Sequence, residues 1–448
     1  MKEITIIGAG LSGCEAALQA SDRGIKVKLF EMRPTCMTGA HQTGDFAELV
    51  CSNSLGSEIA TRPSGLLMSE LEKLGSHLIQ IAKSCRVPAG HALAIDRKSF
   101  SQKVTKKILN NPNIEIIREE ITSIPTGVVI IASGPLTSER LSASLVSLTG
   151  KENLFFYDAV APIIEFDSIN MDIAFWGSRY GRGKQDGGDY INCPFDKESY
   201  SAFIDQLVHA KRIELKGFEK DIDQGVRTGK SSFFEGCLPI EIMAQRGEHT
   251  LAFGPLRPVG LTNPHNTDKP YAVAQLRQDD LGGDIFNLVG FQTNLKYSEQ
   301  QRVFRMIPGL ENAEFVRYGQ MHRNTFIAAP EILNPGFQLV TNPDIFFCGQ
   351  ITGVEGYLSN IASGMIVGIN SSRYLDNLES VIFPKNTMIG ALFDYVINTS
   401  IEKFHPMKPN FGLFTPLSET IRPKKSRFEM YANRAQQDLN EFLQTHEI

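Results

Sequence analysis

Two cysteines and one glycine cluster are the parts of this sequence best suited to chemistry. Cys51 lies in Ala47-Glu48-Leu49-Val50-Cys51-Ser52-Asn53-Ser54-Leu55, after an apolar pair and before a polar triplet. Cys237 lies in Ser232-Phe233-Phe234-Glu235-Gly236-Cys237-Leu238-Pro239-Ile240-Glu241, where Gly236 and Pro239 bracket it in an irregular turn. A thiol becomes a nucleophile only where its neighbours lower its pKa, and the usual fate of a free cysteine is burial as a packing residue. Composition alone favours that fate for both. What sets Cys51 apart is its place shortly after Gly8-Ala9-Gly10-Leu11-Ser12-Gly13. A dinucleotide and a nucleophilic sulfur in one pocket narrow the chemistry to redox or carbon transfer. Cys14, Cys36, Cys85, Cys193 and Cys348 read as packing residues.

The elements around the glycines have the order of a Rossmann unit. An apolar run, Glu3 to Ile7, ends in them; Ser12 to Arg23 reads as a helix, and Ile25 to Phe30 as a second strand ending in Glu31. Gly8 permits the tight turn, Gly10 lets the backbone approach a pyrophosphate, and Gly13 lets helix and strand pack closely. Ala9, Leu11 and Ser12 complete the loop, whose helix N-terminus offers unpaired N–H groups to the phosphates. Glu31 falls where a ribose-binding acid is expected. The spacing fits NAD, FAD and, less well, S-adenosylmethionine.

A distant segment, Phe346 to Tyr357, favours FAD: a strand ends in Gly349, and Gly353, Glu355, Gly356 and Tyr357 open a helix reaching to about Gly368. A third piece, Val128 to Pro135, is a buried strand running into a turn at Gly134, as in two-dinucleotide flavoproteins. There is no second GxGxxG, so no separate NAD(P)H domain is expected.

At 448 residues, 42% of them hydrophobic, the chain suits two domains. The spacing predicts one long helical stripe from Gly65 to Ala82, a helix capped by Asp96 with Phe100, Val104 and Ile108 inward, an extended piece at Ile114–Ile117, and a strand from Phe155 to Phe166. Longer Gly-, Asn- and Pro-containing connections follow, as in 177–192. The expected architecture is α/β: a Rossmann-like FAD-binding domain over 1–154 and 326–448, with a C-terminal helical segment, interrupted by an α+β substrate domain over 155–325.

No apolar run reaches the roughly 18 residues of a membrane span, and the strand-like N-terminus shows no secretory signal. Seven scattered cysteines without a CxxC pair argue against a metal site or a disulfide scaffold, and a reducing cytoplasm fits best. With a net charge of −5, nucleic-acid binding would need a local basic face. Arg179, Arg182 and Lys184 offer one, and Arg422, Lys424, Lys425 and Arg427 another; each taken alone reads as a solvated face.

From Lys2 to about Tyr431 the chain resembles the folate- and FAD-dependent tRNA (uracil-5-)-methyltransferases. The resemblance rests on GAGLSGCEAA, AELVCSNSL, ASGPLTS, FFEGCLPIE, LRPVGL, NLVGFQTNLKYSEQQRVFRMIPGLENAEFVRYG, MHRNTF and GVEGYLSNIASG. Several of these have no generic flavoprotein meaning. Ser133 stands where such enzymes usually carry Thr. The resemblance implies formation of 5-methyluridine in the T-loop of tRNA, at position 54 in standard tRNA numbering. The carbon comes from 5,10-methylenetetrahydrofolate and the electrons from NAD(P)H through FAD. Cys51 and Cys237 match the family's two functional cysteines, with Cys51 favoured as nucleophile and Cys237 as base. His322, in MHRNTF, is the candidate for the face of the pterin opposite the flavin. Similar enzymes in some bacteria act on ribosomal RNA, which is the alternative target. A small-molecule NAD(P)H-dependent flavin oxidoreductase would explain the fingerprint but not the two cysteine motifs.

Overall fold

The computed structural model describes residues 2–152, 154–183, 187–213, 238–266, 269–419 and 421–446. Cys237 and Lys184 lie outside the described residues.

A six-stranded sheet forms the first body, in the order Gln338–Leu339, Asn342–Phe347, Val129–Ile131, Glu3–Ile7, Lys26–Phe30, Ile114–Ile117. Its strands are parallel except at the edge hairpin of Gln338–Leu339 with Asn342–Phe347. Central strands of such a sheet are covered on both faces and so read as unbroken apolar runs. Val129, Ile130 and Ile131 illustrate this, all fully buried. Because the strands run parallel, their carboxyl ends gather Gly8, Glu31, Ala132 and Cys348 along one edge, where ligands of open α/β sheets bind.

Two helices stand behind that edge, Leu11–Asp22 and Tyr357–Leu375, the second extending beyond the Gly368 expected from sequence. They cross closely because two glycines four apart face the first helix. A methyl group at Gly364 would overlap the Ser12 carbonyl oxygen, and one at Gly368 would lie 2.7 Å from that of Ala16.

A second body lies between two strands that pair with each other. Leu154–Ala159 and Met321–Phe326 form an antiparallel ribbon, in register from Leu154 opposite Phe326 to Ala159 opposite Met321. The chain departs along one strand and returns along the other. Between them a six-stranded antiparallel sheet runs in the order Phe175–Gly177, Tyr190–Phe195, Ala272–Gln278, Ile285–Leu288, Ile163–Glu165, Phe315–Arg317. It has its own apolar cluster, with Phe195, Phe203, Phe286, Phe291 and Phe304, separate from the cluster of the first body.

Three expectations need correction. The stripe from 65 to 82 is two helices, Pro63–Lys73 and His77–Lys83. Gly75, with φ +81°, ends the first, and the Ser76 hydroxyl caps the second. The buried Glu15 carboxylate reinforces that start by accepting from Ser76 Oγ and from the amides of His77 and Leu78. The strand expected over 155–166 is interrupted at Val160-Ala161-Pro162, and only Ile163–Glu165 joins the second sheet. The connection over 177–192 is partly strand, since Phe175–Gly177 pairs with Tyr190–Asn192. Asp96 does cap its helix, accepting from the Ser99 amide at 2.7 Å. Among the described residues no helix is long and apolar enough to cross a membrane, and no cluster of His, Cys, Asp and Glu could hold a metal ion.

Candidate active site

The glycine loop builds a cradle whose shape follows from three missing side chains. Gly8 has φ +104°, where L side chains are strained, and a Cβ there would lie 2.6 Å from the Ala132 carbonyl oxygen. A Cβ on Gly13 would overlap the Gly8 carbonyl oxygen, so the helix can sit this close to the turn only with glycine. Gly10 is different: no atom lies within 4 Å of its added Cβ. It is also the N-cap of the helix Leu11–Asp22, with no side-chain cap on the first-turn amides. Gly10 therefore leaves open the space into which those amides can donate. The adjoining cavity has a volume of about 970 Å³, with Gly8, Gly10, Leu11, Ser12, Glu31 and Gly134 in its wall. Open amides, a cleared wall and a buried acid at the second strand fit a dinucleotide such as FAD.

Glu31 is more engaged than its sequence position suggests. Its carboxylate accepts from the Ala9 amide at 3.0 Å and from Arg33 Nε at 2.9 Å. Arg33 is only 2% exposed and also reaches Glu48. Burial acts to raise the Glu31 pKa, but hydrogen bonds from the Arg33 guanidinium and the amides of Arg33 and Ala9 hold it below the usual range. Sequence reasoning missed Arg33, although an arginine two residues after the acid was a readable signal. The other predicted cofactor glycines divide. Gly356 lines a cavity with Glu355 and Tyr357, whereas Gly349 packs on Ser12 and Gly353 on the Phe404 ring.

That second cavity, about 1260 Å³, is where the thiol sits: Cys51, Ser52, His322, Asn324 and Tyr357 contribute to its wall. It adjoins the first, and Val50, Pro135, Leu136, Gln350 and Tyr357 line both. The Cys51 loop is gripped through its backbone. Tyr357, at the start of the long second helix, accepts on its hydroxyl from the amides of Cys51 at 2.9 Å and Ser52 at 3.1 Å. Burial and the adjacent thiol push the Tyr357 phenol pKa up, so the phenol stays protonated.

Three guanidinium groups hold the same loop from other elements. Arg97 donates to the Leu49 carbonyl at 2.9 Å and forms a buried ion pair with Asp279. Arg277 donates to Ser52 Oγ and Asn53 Oδ1, both at 2.8 Å. Arg317 reaches the carbonyls of Val50 at 3.3 Å and Cys51 at 3.4 Å, and burial with neighbouring Arg97 pushes its pKa down to about 10. Sequence analysis assigned none of these. The available signal was charge inside apolar strands, as in Ala272–Gln278 and Phe315–Arg317.

His322, on the returning ribbon strand, lines the thiol cavity and a further cavity of about 650 Å³ that includes Arg317 and Tyr318. Burial and the Arg317 charge push its pKa down to about 4, so the imidazole is neutral at physiological pH. The structure thus brings together Cys51, His322, Glu355, Gly356 and Tyr357 around a cavity that adjoins the Gly8–Gly13 cradle. Cys237 is outside the described residues. Cys14, Cys85, Cys193 and Cys348 are buried, and burial pushes the Cys348 thiol up to about 12. The cations of the second expected basic face lie at or just before the exposed start of the helix Lys424–Thr445, with Lys425 3.9 Å from Glu429.

The family described as glucose inhibited division protein A matches residues 3–379. The methylenetetrahydrofolate--tRNA-(uracil-5-)-methyltransferase TrmFO of Anoxybacillus flavithermus is 52% identical over 441 residues, covering 98% of this chain and 99% of the relative. The protein of the same name from Bacillus subtilis is 51% identical over 432 residues, 96% of each chain. Among solved structures, Aquifex aeolicus GidA superposes with a TM-score of 0.68 at 16% identity, covering 98% of this chain and 73% of that one, a likeness of fold. The chain therefore belongs to the glucose inhibited division protein A family and, within it, to the methylenetetrahydrofolate--tRNA-(uracil-5-)-methyltransferases.

Proposed function

We propose that this protein methylates carbon 5 of a uridine in tRNA, with 5,10-methylenetetrahydrofolate as carbon donor, FAD as resident redox group and NAD(P)H as electron source. The observation that carries the reading is Cys51: it lines a cavity that adjoins a dinucleotide cradle, on a loop held by both bodies of the fold. Relatives about half identical over nearly the whole chain are named for this activity.

Carbon 5 of uracil is a weak nucleophile. Addition of Cys51 Sγ to carbon 6 breaks the 5,6 double bond and places its electron pair on carbon 5, conjugated with the carbonyl at carbon 4. Carbon 5 then bonds to the donated methylene carbon as one of that carbon's bonds to nitrogen breaks, the electron pair leaving with nitrogen. A base removes the remaining proton from carbon 5, that electron pair expels the carrier nitrogen to leave an exocyclic methylene, and a hydride added to the methylene gives the methyl group while sulfur leaves and the 5,6 double bond returns. By the family resemblance Cys237 is that base. FAD, bound in the cradle and reduced by NAD(P)H, would supply the two electrons that take the carbon to the methyl level. Neutral His322 offers a flat, uncharged ring against which a pterin can stack. The arginine clamp keeps the Cys51 loop in place while bonds to sulfur form and break.

The target is the T-loop uridine, position 54, and the reaction belongs in the cytoplasm with its substrate. The nucleotide-binding domain is 1–154 with 326–448, and 155–325 is the substrate domain. The purified protein, which should be yellow with FAD, is incubated with methylenetetrahydrofolate, NADPH and either tRNA or ribosomal RNA lacking 5-methyluridine. Modification mapped to the tRNA T-loop is expected. Modification of ribosomal RNA alone would move the target, and none in either RNA would overturn the reading.

A further inference from the structure

We infer that Arg179, Tyr180, Arg182 and Arg257 form the surface on which the substrate RNA docks, with phosphates on the arginines and an unpaired base on Tyr180. This rests on the proposed RNA substrate and adds where that RNA is held.

The first argument is uncompensated charge. Arg182 and Arg257 are exposed, and among the described residues none of the three arginines pairs with a carboxylate. Arg179 gives its N–H groups to the carbonyls of Arg257 and Val259 and to Gln275 Oε1, all neutral acceptors. Its pKa is lowered by burial and by the Arg257 charge beside it. The Asp189 carboxylate accepts from the Gly90 amide of the first body. In a molecule of net charge −5, such a cluster favours a polyanion at this place.

The second argument is the way Tyr180 is presented. It is one of few non-glycine residues with left-handed backbone, φ +59°, a conformation that persists only where the surroundings enforce it. Here its amide donates to the Gly260 carbonyl at 2.7 Å, and its ring covers Gly260, where a Cβ would lie 3.0 Å away. The residue is nevertheless 59% exposed, with the Arg182 guanidinium 5.4 Å from its ring centre. A fixed, exposed aromatic ring beside a cation is a platform on which single-stranded bases stack.

Position supplies the third argument. Gly177 pairs with Tyr190, and Tyr190 pairs with Arg277, which holds Ser52 and Asn53 of the thiol loop. Two strand spacings, about 10 Å, therefore separate the backbone entering the patch from the residue that grips the Cys51 loop. The patch is thus linked through adjacent strands to the residue that holds the Cys51 loop.

The test uses the FAD-loaded full chain and an unmodified tRNA transcript across a salt series. Arg182→Glu and Tyr180→Ala should each raise the KM for RNA about tenfold while leaving FAD content and the rate of flavin reduction by NADPH unchanged. Arg182→Glu and Arg257→Ala should each lower the log–log salt slope of RNA binding by about one unit, whereas Arg182→Lys should keep it. Variants matching a methylating wild type in KM and slope would overturn the proposal. A wild type that forms no 5-methyluridine, yet binds tRNA with a slope these variants reduce, would sink the proposed function and leave the docking surface standing.

Discussion

Cys51 can be tested apart from its surroundings, because its loop is held through backbone atoms and through Ser52 and Asn53. Cys51→Ala should keep its FAD, lose methylation, and fail to trap RNA carrying 5-fluorouridine, whose fluorine cannot leave as the proton does. Cys237→Ala should stop turnover yet still form that adduct, and the opposite pattern would exchange the two roles. His322→Ala should raise the KM for folate with flavin content intact; unchanged folate kinetics would return His322 to a packing role. Its pKa of about 4 in the folded chain, against 6.5 for an ordinary histidine, means the unfolded chain takes up the proton more readily. This contribution to stability is present above pH 6.5 and is lost as the pH falls towards 4. At this scale the sequence pointed to Cys51 through the neighbouring glycine motif and to His322 through the family resemblance alone, and both line one cavity. It did not point to Arg97, Arg277 and Arg317, since they converge on the loop only through long-range contacts that no local spacing records.

Elements follow their sequence patterns best where one local cause decides. The glycine fingerprint could be interpreted position by position because each glycine answers a separate steric demand. Gly10→Val should remove the flavin, since the branched side chain would fill the space left for phosphates. Gly364→Ala should instead destabilise the fold, by about 1–3 kcal/mol as an overpacked contact, and weaken flavin binding by pushing Tyr357–Leu375 off the first helix; an unchanged melting temperature would count against this. The stripe over 65–82 misled because apolar periodicity continues across a break made by Gly75 and Ser76. Glu70, in the first of those helices, is buried and accepts from the amides of Met388 and Ile389. Burial pushes its pKa up to about 7 from 4.5, with the two amides opposing. The folded chain holds that proton more tightly, so the contribution is full below pH 4.5 and is lost as the pH rises through 7. Glu70→Gln should flatten this part of the melting-temperature profile, a contribution of at most about 3 kcal/mol.

For the whole molecule, the sequence pointed to an interruption of the nucleotide-binding body by a second one, but not to the manner of joining. A two-stranded ribbon carries the chain across, and buried polar contacts lock the bodies at the thiol loop: Arg97 with Asp279, and Arg277 with Asn53. Asp279→Asn leaves Arg97 buried without its counter-charge, a loss expected to cost about 3–5 kcal/mol. Methylation should fall further than FAD content, because the cradle belongs to one body and the thiol's supports to both. Equal losses of the two would show that the pair stabilises the first body alone.

The clamp on Cys51 also has a consequence in time. Tyr357, which receives the Cys51 amide, lies 306 residues later in the chain, and Arg277 and Arg317 are also far downstream. Chain growth from the amino end exposes the cysteine early and its restraints late. During most of synthesis the sulfur is an ordinary side chain on an unheld loop, and the geometry that would let it attack an RNA base arises only once the returning segment has folded back. A ribosome-bound chain stalled before residue 357 should form no adduct with 5-fluorouridine RNA, whatever flavin is added, while the released full-length chain should.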